Sequence, residues 1–144
     1  MQATAERART NSRLWALVPM GGMLLIAAAV YERLPAHVKP PHVYILCREP
    51  GSLTLIFSVI ALVLVVAGLG CAIGVLHLVV DPPARIAAPL AYGAIALAAV
   101  VGADGLDHIG AGVAVQTQAR YEHAPADICE YPMPAYQETP GWFF

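Results

Sequence analysis

Residues 53–80 read LTLIFSVIALVLVVAGLGCAIGVLHLVV, a run with no Asp, Glu, Lys or Arg in it. At 1.5 Å per residue a helix of this run is about 42 Å long, against a bilayer hydrocarbon core of about 30 Å. Two further apolar runs, 14–31 and 86–115, flank it, and the three together take up just over half of the 144 residues. Only 12% of residues are charged, about half the usual soluble share, and mean hydropathy is +0.63. The pattern predicts an all-α integral-membrane protein with three transmembrane helices at about 14–31, 53–80 and 86–115. Between them lies an extended outer loop, 32–52, and after them an extended outer tail, 116–144; together they form a single membrane domain.

Three crossings place the amino terminus and the "DPPAR" connection on one side and the loop and tail on the other. Lys and Arg divide evenly, with Arg7, Arg9, Arg13 and Arg85 against Arg33, Lys39, Arg48 and Arg120. The orientation then follows the arginine cluster before the first helix, which puts the amino terminus inside and the carboxy terminus outside. A bacterial inner membrane or a mitochondrial inner membrane fits this reading. Cys47 in the loop and Cys129 in the tail both fall on the outer side, where disulfides persist, and a Cys47–Cys129 bridge is expected to tie loop to tail.

Small residues mark the surfaces built for close helix approach. Gly70 and Gly74 make a GxxxG spacing in the second run, and Ala94, Ala98 and Gly102 form a row on the third. In lipid such faces supply much of the attraction between helices.

The stretch "VVGADGLDHIG" brings the most chemistry-capable side chains. Asp104, Asp107 and His108 fall at i, i+3 and i+4 and share a helix face. Counting from Arg85, residue 104 lies about 28 Å along, near the opposite edge of the hydrocarbon, so the patch is read as interfacial, facing water or a partner's polar loop. The alternative is a metal site: Asp104, His108 and His123 offer a carboxylate-plus-imidazole set for zinc or copper, with His37 or His42 on the same side and Asp107 orienting a ligand. A quinone headgroup or a haem held jointly with another protein belongs to the same reading. His77 and His108 lie toward opposite faces of the membrane and so cannot share one haem iron. The sequence itself requires no cofactor.

Proline and aromatic residues dominate the loop and the tail. Val43–Cys47 reads as a short strand, and the tail, rich in Pro and aromatics, reads as an extended strap over a neighbouring protein, with Tyr131, Tyr136, Trp142, Phe143 and Phe144 as the contacts. Nucleic-acid binding finds no support, since net charge is −2 and no basic stripe exists. There is no phosphate-cradling Gly-rich loop and no legible Ser-His-Asp arrangement. In architecture alone the chain resembles the small anchor and accessory subunits of respiratory or photosynthetic complexes. The expectation is a non-catalytic accessory subunit of a larger, energy-transducing membrane complex. Its partners are other integral membrane subunits and the lipid bilayer, and the metal or redox protein is the alternative. A homo-oligomeric channel is disfavoured, because no charged residue falls at mid-bilayer depth.

Overall fold

A computed structural model describes residues 14–34, 43–80, 87–123, 133–139 and 141–143. The described chain is mostly helical: α1 spans Leu17–Glu32, α2 spans Gly51–Val80 and α3 spans Ala87–Glu122, with two short strands, β1 at Val43–Leu46 and β2 at Met133–Gln137. α2 and α3 are long and apolar enough to cross a membrane. α1, at 16 residues, is about 24 Å long and falls short of the 30 Å expected of a crossing. α3 continues seven residues past the expected end at 115, because "QTQARYE" is polar without being helix-breaking, and loss of hydropathy alone does not stop a helix.

Apolar side chains run all round α2, and many point outward: Leu55, Leu62, Leu69, Ile73 and Leu76 are each at least 60% exposed. A water-soluble core helix would bury these groups; a helix in hydrocarbon has no need to. Two hydroxyls on the helices bond back to their own backbone. Ser58 Oγ donates to the Thr54 carbonyl at 2.8 Å and Thr117 Oγ1 to the Val113 carbonyl at 2.7 Å, which satisfies a hydroxyl without water.

The chain divides into two compact units. In the first, residues up to 31 with 63–100, small residues set the spacing between helices. A Cβ placed on Gly22 would come within 2.9 Å of Ala96 Cβ and 3.2 Å of Cys71 Sγ, and one on Gly74 within 2.9 Å of the Tyr92 ring. α1 meets α2 and α3 through contacts that a larger side chain would prise open. Cys71, buried and free, directs its thiol at the Tyr92 carbonyl, 3.8 Å away.

In the second unit, residues 32–62 with 101–144, β1 and β2 pair antiparallel with Val43 opposite Gln137, Tyr44 opposite Tyr136 and Leu46 opposite Met133; the register shifts between Tyr44 and Leu46. The expected short strand is present, and its partner comes from the tail. Thus the tail, read as a strap over a neighbour, folds instead onto its own loop. Leu46, Leu53, Ala111, Ala114 and Tyr136 form the core beneath this ribbon. Ala111 and Ala114 matter because they are small, so that the ribbon can approach α3 closely.

Candidate functional site: a carboxylate latch between helix and tail

Asp104 and Asp107, one turn apart on α3, share a face, and that face is covered. Their exposures are 5% and 3%, too low for groups facing open water, so the expectation that they meet water or another protein's loop is corrected: the polar loop they meet belongs to their own chain. Among the described residues, each of the four carboxylate oxygens has a donor. Asp107 Oδ1 accepts from the Tyr136 hydroxyl at 2.8 Å, and Asp107 Oδ2 from the Thr139 amide at 3.2 Å. Asp104 Oδ2 accepts from the Phe143 amide at 2.8 Å, and Asp104 Oδ1 lies 3.5 Å from Arg33 Nη2 in an ion pair. An ionised carboxylate removed from water is tolerable when paired and hydrogen-bonded in this way, and removing one partner from a buried pair costs about 3–5 kcal/mol.

The tail donates in a regular order. Tyr136, Thr139 and Phe143 succeed one another along it while their acceptors run from Asp107 back to Asp104, so the tail passes antiparallel to the helix and is fastened at each step. Tyr136 is the keystone. Its oxygen also lies 3.0 Å from the Asp107 carbonyl oxygen, and its ring packs against Phe57 at 5.4 Å and Tyr44 at 6.4 Å between centroids. Gly110 makes room for it, since a Cβ there would overlap the hydroxyl and stand 3.0 Å from Cζ. Burial, and then the hydrogen bond to Asp107, push the phenol well above its usual range.

The proposed metal ligands do not converge. Asp104 is engaged as described. His108, although on an adjoining face, is 65% exposed with its Nδ1 3.7 Å from Glu138 Oε1. His123 follows the last residue of the helix, its Nδ1 2.8 Å from the Ala119 carbonyl oxygen. Because α3 runs unbroken to Glu122, His123 lies about 28 Å along the axis from Asp104, where a tail folding back from 115 would have returned it. Among the described residues no three His, Cys, Asp or Glu side chains are grouped to hold a metal ion.

The other expected site residues are distributed differently. Gly74 is buried against Tyr92, whereas a Cβ on Gly70 or Gly102 would meet nothing within 4 Å, and Ala94, Ala98 and Gly102 are exposed in a row on α3. Of the tail aromatics, Tyr136 is only 4% exposed and serves the chain's own core, not a partner, while Trp142 and Phe143 face outward at 43% and 52%. Cys47 is engaged and is not a free thiol. Cys129, Tyr131, Phe144, His37 and His42 lie outside the described residues.

Arg33, Thr139 and the role of Gly110 escaped the sequence reading. Gly110 offered a signal, because it lies three residues after Asp107 on the same face. Arg33 and Thr139 offered none. No protein-family model, curated protein sequence or solved structure matches the chain.

Proposed function

We propose that the chain is a non-catalytic integral-membrane accessory subunit of a larger membrane complex, with its loop and tail together on the outer side. The observation that carries this reading is a contrast between surfaces. The polar groups are spent on fastening the chain to itself, while the exposed row Ala94, Ala98 and Gly102 is smooth, next to bulky outward residues such as Leu90, Ile95 and Leu97. A smooth row lets a neighbouring helix approach backbone to backbone; a bulky surface suits acyl chains. An energy-transducing host is the proposal that the architecture carries.

The loop–tail pairing also supports the Cys47–Cys129 bridge. Leu46, the neighbour of Cys47, pairs with Met133, and Cys129 precedes Met133 by four positions. If the bridge forms, Cys47→Ser and Cys129→Ser each expose one new alkylatable thiol, on the other cysteine; a thiol count that falls by one on either substitution removes it.

Gly102→Leu tests the docking surface, because a Cβ added there meets nothing within 4 Å. Purified in mild detergent, the tagged wild type should carry other membrane subunits in fixed ratio, and the variant should lose them while its tail stays folded. A wild-type chain that elutes alone, or a variant that keeps its companions, refutes the reading.

A further inference from the structure

We propose that Trp142 and Phe143 form a lipid anchor, seated at the boundary between headgroups and acyl chains and held at that depth by Asp104; the proposal rests on the membrane reading above. Three observations converge on it. The Phe143 amide donates to Asp104 Oδ2 at 2.8 Å, so the backbone at this point of the tail is fixed to one level of α3. That level is set by the helix, because residues 87–103 contain no Asp, Glu, Lys, Arg or His and span about 26 Å, close to the thickness of the hydrocarbon. With the backbone fastened, both side chains still turn outward, Trp142 43% and Phe143 52% exposed.

The chemistry selects lipid over water. An indole has an apolar body and one N–H donor, the combination that collects at the membrane interface, and two adjacent exposed aromatics in water would each lose apolar burial for no return. The polar backbone facing Asp104 and the apolar side chains facing away give the segment the two-sided character of an interfacial anchor. Asp104 is here a positioning residue: its carboxylate sets where along the membrane normal the aromatics can reach.

The experiment uses the full chain with Trp15→Phe, which leaves Trp142 as the sole tryptophan, reconstituted alone in phosphatidylcholine vesicles. Emission is compared with lipids brominated near the headgroup and with lipids brominated near the chain end, and with aqueous iodide. The expected result is a roughly twofold loss of emission from the shallow bromines, a smaller loss from the deep ones, and little from iodide. Stronger quenching by the deep bromines, quenching by iodide alone, or shielding from all three overturns the proposal, the last of these indicating a protein-covered site. Resistance of the same vesicles to carbonate extraction is scored in parallel. A chain that stays in the membrane with Trp142 unquenched by lipid sinks the anchor alone, whereas a chain extracted by carbonate sinks the membrane reading too.

Discussion

Replacing Tyr136 by Phe removes one oxygen from the latch and leaves the ring in place. That oxygen donates to Asp107 Oδ1 at 2.8 Å, whereas the ring contacts with Phe57 and Tyr44 need no hydroxyl. The loss is therefore a buried hydrogen bond to a carboxylate, about 1.5–3 kcal/mol, without the cavity that Tyr136→Ala would add. At about 2 kcal/mol, and 1.36 kcal/mol for each factor of ten, the open-tail population rises roughly 30-fold. Hydrogen exchange reads this directly, since the Thr139 and Phe143 amides are the donors held by Asp107 and Asp104. Where exchange follows the opening equilibrium, both should exchange roughly 30-fold faster in Tyr136→Phe. Amides of residues 63–80 in α2, in the other unit, should be unchanged. Exchange at both tail amides within about threefold of wild type would refute the claim that the phenol holds the tail.

Three other outcomes follow from the packing described above. The raised Tyr136 phenol favours the closed tail in its neutral form, so its contribution is whole below about pH 10, where a released phenol begins to ionise, and declines as pH rises through the folded value; Thr139 protection, normalised for intrinsic exchange, should fall above that pH in wild type and not in Tyr136→Phe. Gly110→Ala pushes a Cβ into the phenol and should cost about 1–3 kcal/mol in thermal unfolding, less in a Tyr136→Phe background; strictly additive losses would deny the contact. Gly22→Ala, 2.9 Å from Ala96 Cβ, should destabilise by a similar amount, about 1–3 kcal/mol, while Gly70→Ala, with nothing within 4 Å, should be neutral or gain up to about 1 kcal/mol of helix propensity; equal effects of the two would contradict the packing described for α1.

What the sequence alone determined is what local chemistry determines. The uncharged run at 53–80 specified α2 nearly to the residue, and the i, i+3 spacing of Asp104 and Asp107 put them on one face. The polar end of α3 misled only because hydropathy marks where lipid ends and says nothing about where a helix ends. The tertiary structure decided what the carboxylates meet. Arg33 comes from 71 residues away and Tyr136 from 29, and no periodicity connects such distances. Their meeting depends on a strand register that shifts between Tyr44 and Leu46 and on the missing side chain at Gly110. Aspartates near the end of a membrane helix are legible as polar; that they fasten the tail of their own chain follows from shape, because only a folded ribbon can deliver a phenol and two amides in order along one helix face.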